Sequence, residues 1–137
     1  MTKKITWMFV VLFGISSVII TCKRDETSDN INSIPIQADF IGPWTVNSGP
    51  CGDYTMAVTA AGNTLTLTNF HSSFTITATS SGTSMTIPLQ SAASPSDVGP
   101  YIFQGTGSLS TPSKMSFSYT RKDTSGATMN CNATAVK

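Results

Sequence analysis

The sequence predicts an all-β domain: a small eight-stranded antiparallel meander closed into a barrel, with a β-sandwich as the alternative. Three observations lead there. From Phe40 onward apolar and hydroxyl residues alternate with a period of two, as half-buried strands require. Turn residues interrupt that alternation at short intervals, and no window shows helical spacing of apolar residues over two or more turns. Two cysteines, Cys51 and Cys131, lie just beyond the first of these strands and inside the last.

Trp44 and Val46 share a face of the first strand, which Asn47-Ser48-Gly49-Pro50 ends. In the second, Tyr54, Met56 and Val58 alternate with Thr55, Ala57 and Thr59, and Ala61-Gly62-Asn63 turns the chain into Leu65 and Leu67. After the connection at residues 69–73 come Phe74, Ile76 and Ala78, then a hairpin signal at Ser80-Ser81-Gly82. The fifth strand puts Met85, Ile87 and Leu89 on one face, while Pro88 implies an edge, a bulge or a strand end. Residues 91–100 form the longest connection. Tyr101, Phe103 and Gly105 share the next face, Met115, Phe117 and Tyr119 the seventh, and Ala127, Met129, Cys131, Ala133 and Ala135 the last.

Each strand has one apolar and one hydroxyl-rich face, so the sheet must bury one side. A flat sheet of eight strands would leave two long edges, which closure removes. An exported chain oxidises Cys51 and Cys131, and a bridge there would pin the first strand to the last. Closing a loop of that length is worth about 4 kcal/mol on the chain-entropy model. Two buried thiols are the alternative.

Export is read from the N-terminus. Lys3 and Lys4 precede an apolar stretch at residues 5–20, shorter than the ~20 apolar residues of a membrane span but suited to a signal peptide. Ile19-Ile20-Thr21-Cys22 resembles the bacterial lipobox, in which the cysteine is lipidated, with Ile and Thr at positions where Leu and a smaller residue are commoner. The expected organisation is a lipoprotein signal peptide at 1–21, a flexible tether at 22–38 and the barrel at 39–137. Lys23-Arg24-Asp25-Glu26 looks like the surface-export signal of lipoproteins from the Bacteroidetes, which implies the outer membrane and the cell surface. The membrane partner is then the lipid on Cys22, stable because bacterial lipoproteins carry more than one acyl chain.

From residue 39 on, Lys114, Arg121, Lys122 and Lys137 balance Asp39, Asp53, Asp97 and Asp123. That balance offers a nucleic acid no electrostatic footprint. Lys114, Arg121 and Lys122 read as a solvated rim at the ends of the seventh strand. His71 is the only histidine, and with 40 Ser and Thr among 137 residues a serine near it carries no weight. No glutamate follows Glu26, and no clustered metal-ligand set exists. Gly105-x-Gly107 lies in or beside a strand and is no phosphate loop; close packing explains it better. The sequence therefore assigns no catalytic residue, cofactor or metal.

The order Asp39-Phe40-Ile41-Gly42-Pro43-Trp44, Cys51-Gly52-Asp53-Tyr54, Asn69-Phe70, Ile87-Pro88-Leu89-Gln90, Phe103-Gln104-Gly105-Thr106-Gly107 and Cys131-Asn132-Ala133 resembles small lipoproteins of unknown function from the Bacteroidetes, described as lipocalin-like. Gly42-Pro43-Trp44 is similar to the G-x-W of the lipocalin first strand. That resemblance implies a lipocalin-like barrel and a late arginine covering the tryptophan, for which Arg121 is the candidate. The candidate ligand cavity is lined by Trp44, Tyr54, Met56, Phe74, Phe103, Phe117 and Tyr119. The expected function is that of a monomeric, non-enzymatic, membrane-anchored binding or envelope module. A carrier of a small apolar ligand and an inhibitor of a host hydrolase such as lysozyme are the alternatives, and the partner is a protein or that ligand.

Overall fold

A computed structural model of the chain describes residues 36–96 and 99–137. The signal peptide, Cys22 and nearly all of the tether therefore lie outside the described residues. Eight strands follow in chain order: β1 (Gly42–Asn47), β2 (Tyr54–Ala61), β3 (Thr64–Phe70), β4 (Phe74–Ser81), β5 (Ser84–Ala92), β6 (Tyr101–Thr111), β7 (Lys114–Lys122) and β8 (Thr128–Val136). They form one closed barrel in the order β1 to β8, every neighbour antiparallel. The barrel, not the sandwich, is the fold.

Alternation does what the pattern predicts along most of the wall. In β4 the positions read strictly buried and exposed, with Phe74, Ile76 and Ala78 inward and three threonines outward. Two bulges break the parity. Between Leu67 and Phe70 the β3–β4 register shifts, Asn69 takes a left-handed φ of 62°, and Phe70 turns into the core. Asn tolerates that conformation better than other β-carbon residues. Between Ile87 and Gln90 the β5–β6 register shifts as well, so Leu89 is 70% exposed instead of sharing the inward face of Ile87. Pro88, which has no N–H to donate, sits inside this irregularity. The side-chain amide of Gln90 fills in for the ladder: its Oε1 accepts from Thr77 N at 2.9 Å and its Nε2 donates to Thr77 O at 2.6 Å.

Closure rests on two devices. β1 meets β8 only over Thr45 to Asn47. Beside this short seam, Cys51 in the 3-10 turn Gly49–Cys51 is bonded to Cys131 of β8, across a sequence separation of 80. The disulfide thus reinforces the short seam that joins the first strand to the last.

The two ends of the barrel differ. At one, the 3-10 turn Gln37–Phe40 folds across the opening and drops Phe40 into the core at 0% exposure. Trp44 Nε1 donates to the Phe40 carbonyl at 2.8 Å, and Gln37 Nε2 donates to the Gly62 carbonyl of the β2–β3 turn at 3.2 Å. The remaining turns at this end are tight, with Gly62 and Gly82 in left-handed conformation. The other end carries the Gly49–Cys51 turn and the longer connections between β3 and β4, β5 and β6, and β7 and β8.

Candidate functional site

The loop-bearing end holds the one concentration of strained backbone and polar side chains among the described residues. Asn69, His71 and Ser72 have φ values of 62°, 47° and 73°, three left-handed non-glycine residues within four positions. Such a conformation costs an L-residue roughly 1–2 kcal/mol, least for Asn, so tertiary bonds must hold it. Asn69 Nδ2 supplies one, donating to the Thr55 carbonyl at 2.5 Å.

His71 supplies two more. Its Nδ1 lies 2.7 Å from the Tyr119 hydroxyl, and its Nε2 lies 2.6 Å from Arg121 Nη1. A guanidinium can only donate, so Nε2 accepts; the ring in this geometry is neutral, and Nδ1–H donates to Tyr119. The imidazole stands edge-on to Tyr54 and Tyr119 and within 6.4 Å of Phe103 and 6.3 Å of Phe74. Arg121 also places its guanidinium 4.8 Å over the ring centre of half-buried Tyr101, a cation–π contact worth ~0.5–2 kcal/mol.

Below this layer the phenols of Tyr54 and Tyr119 lie in the core. Burial drives the Tyr54 phenol far above its ordinary range, and the proximity of Tyr119 adds to the rise. Tyr119 is also raised by burial, against the opposing effects of hydrogen bonding to Tyr54 and Ser48 and of the Arg121 charge. The Tyr54 hydroxyl neighbours Tyr119 and the His71 backbone, yet no partner reaches full hydrogen-bond geometry with it among the described residues. Both phenols therefore stay protonated and can serve only as neutral donors and acceptors.

One expectation is corrected here. Arg121 does not cover Trp44. Trp44 lies near the start of β1, toward the closed end, whereas Arg121 comes late in β7, where it pairs with Phe103 and Met129 at the loop-bearing end. The cation on Trp44 is Lys137, whose Nζ lies 4.8 Å from the ring centre and donates to the Asp39 carbonyl at 2.5 Å. Val136 pairs with Thr45, which delivers the following residue to that ring. Nor do the three cations of β7 form one solvated rim: Lys114 and Lys122 are exposed, while Arg121 is half-buried against His71 and Tyr101. Met129, expected inward, is 38% exposed near the start of β8.

The residues of the candidate cavity, Trp44, Tyr54, Met56, Phe74, Phe103, Phe117 and Tyr119, are all buried in the one core cluster. The rings of Tyr54, Phe74, Phe103, Phe117 and Tyr119 touch each other or Phe70, with centroid separations from 4.7 Å for Phe70–Tyr119 to 6.5 Å for Phe103–Tyr119. Phe70 and Phe40 complete this packing, and sequence reasoning placed neither in the core. Phe70 was concealed by the bulge, and Phe40 by its position ahead of the first strand. Among the described residues no three His, Cys, Asp or Glu side chains gather to hold a metal.

Two adjoining concavities lie on the outer wall, away from His71. A groove of about 800 Å³ crosses β5 to β8, and a second of about 390 Å³ adjoins it, sharing Thr86, Thr106, Ser118 and Asn132. Register explains its lining. Thr79, Thr86, Thr106, Ser118 and Asn132 are paired neighbours on successive strands, and so are Ser81, Ser84, Ser108, Ser116, Thr134 and Asn47 one pleat away. The result is two unbroken rows of hydroxyl and amide side chains. Gly105 and Gly107 draw the wall inward here: a β-carbon on Gly107 would lie 2.6 Å from Met85 Cε and 2.7 Å from Phe117 Cβ, and one on Gly105 would strike the backbone of β7.

No family model, curated protein or solved structure matches the chain. The likeness to lipocalins thus rests on the barrel itself: eight antiparallel strands in meander order, with a tryptophan at the start of β1 beneath a cation.

Proposed function

We propose that the domain is a non-enzymatic binding module, held by a lipid on Cys22 to the outer membrane of a bacterium of the Bacteroidetes type and displayed on the cell surface. Its contact surface is the loop-bearing end, and its partner is a protein. One observation carries this reading: the Asn69–Ser72 segment is held in three left-handed residues by hydrogen bonds of Asn69 to Thr55 and of His71 to Tyr119 and Arg121. Strain of that kind persists where the surrounding structure over-determines a functional shape. The closed end invests its residues in a plug and tight turns and offers no comparable feature.

The imidazole is engaged on both nitrogens by a tyrosine and an arginine, an arrangement that orients a ring and does not activate a nucleophile. The carrier reading has less support, since the aromatic side chains proposed to line a cavity pack on one another. The hydrolase-inhibitor reading rests on residues 91–100, of which 97 and 98 lie outside the described residues, and no described feature favours it.

Photo-crosslinking on intact host cells tests the proposal. A crosslinking residue replacing Ser72 should capture a defined protein, and the same residue replacing Ser113 at the closed end should not. Equal capture from both ends, or capture from Ser113 alone, overturns the assignment of the surface. Mass spectrometry of the mature N-terminus should find an acylated Cys22, and an unmodified cysteine there overturns the anchor.

A further inference from the structure

We propose that the outer wall over β5 to β8 binds a neutral polysaccharide chain, laid across the strands in the two joined grooves. This is a second site, separate from the loop-bearing end and independent of it.

Charge argues first. The outward positions of β5, β6 and β8 carry no ionisable side chain, and those of β7 carry only Lys114 and Lys122 at its two extremities. The charged residues of the described domain cluster at the barrel ends instead. A wall without charge provides no attraction for a polyanion, and its preferred ligand is uncharged.

Hydrogen-bonding capacity argues next. Hydroxyls both donate and accept, and the amides of Asn130, Asn132 and Gln104 add paired donors and acceptors. A sugar hydroxyl presents the same dual character, so a glycan can satisfy the wall in many registers. An apolar ligand would strip water from these groups without replacing its bonds, at about 1–3 kcal/mol for each group left unsatisfied. An extended peptide fares no better. Along the grooves the N–H and C=O groups of the two middle strands, β6 and β7, already pair with both neighbours, so the floor offers no edge for strand addition.

Shape completes the case. The inward position of Gly105 and Gly107 makes the rows the floor of a groove rather than a convex flank. Ser118 Oγ already donates to Asn132 Oδ1 at 2.8 Å, which orients the amide and leaves its Nδ2 free to donate outward. Each new bond contributes only ~0.5–1.5 kcal/mol net, so useful affinity needs a chain long enough to engage several strands.

Titration of the isotope-labelled mature domain with uncharged oligosaccharides (cellohexaose, laminarihexaose and chitohexaose) tests this by NMR. At least one hexamer should shift the amides of Thr106, Ser118 and Asn132, and its dimer should bind at least about tenfold more weakly. Joint replacement Thr106→Val with Ser118→Ala should weaken the hexamer about tenfold, while Thr59→Val with Thr66→Val, paired on β2 and β3, should change nothing. The proposal is overturned if no hexamer shifts these amides, if shifts centre on His71, or if both double variants act alike. Equal binding of an oligogalacturonate or of an unstructured hexapeptide also overturns it. An unchanged backbone spectrum in the first variant distinguishes lost contacts from lost folding.

Discussion

The two ends of the barrel solve the same closure problem with different materials. At the closed end the centre is apolar and local: Phe40 plugs the core, Trp44 bonds to the Phe40 carbonyl four residues before it, and the hairpins turn tightly on Gly62 and Gly82, while the remote contacts of Gln37 and Lys137 only fasten that plug. At the loop-bearing end it is polar and remote. His71 finds Tyr119 and Arg121 at sequence distances of 48 and 50, and Cys51 reaches Cys131 across 80. The difference teaches where selection could act. A plug yields stability and little else, whereas strained backbone held by distant polar contacts yields a defined surface shape.

Breaking the closed end should cost most. Trp44→Ala removes a side chain 1% exposed together with its hydrogen bond, and a loss of about 3–5 kcal/mol is expected in urea denaturation. A loss below about 1 kcal/mol would show that the plug is not a structural centre. Next comes the bridge at the opposite end. Cys51→Ser with Cys131→Ser should cost about 2–4 kcal/mol while keeping the β-sheet circular dichroism, because the register of β7 with β8 does not depend on it.

The buried phenols sharpen the contrast through pH. Tyr54 and Tyr119 both have folded pKa values raised above the ordinary 10.0. A raised pKa means that the folded chain keeps protons which the unfolded chain releases. Their contribution is therefore fully present below about pH 10 and declines as pH rises beyond it. Between about pH 9 and pH 11, Tyr54→Phe should flatten the fall in stability by up to ~1.4 kcal/mol per pH unit, measured by denaturation at each pH. An unchanged slope would place the phenol in water.

The smallest expected effect has the opposite sign. Ser72 occupies φ 73°, so Ser72→Gly should stabilise the fold by roughly 0.5 kcal/mol. It should also weaken crosslinking or partner binding at this end, since relief of strain loosens the loop. Stabilisation without any change in binding would detach the strained loop from function.

Strand count, order and the inward faces of β2, β4 and β7 were legible from alternation alone, because the side-chain period of a strand is a local property. The disulfide pairing was legible because Cys22 was read as the lipidation site. The outward face of Leu89 was not, since a bulge reverses parity without changing composition. Residue identity also failed to choose the cation for Trp44. An arginine was expected from resemblance, and a lysine at the chain's last position takes the place because strand register carries it there.

By itself, then, the sequence determined a meander of eight half-buried strands, each with one hydroxyl-rich face, and pointed to the pairing of Cys51 with Cys131. Alternation, composition and the number of available cysteines suffice for these. Only the tertiary structure decided between the expected barrel and the alternative sandwich, brought His71, Tyr119 and Arg121 together, and aligned the hydroxyls into rows. Those features depend on which residues stand opposite one another across strands, and register is set by bulges and turns whose effects accumulate around the whole barrel.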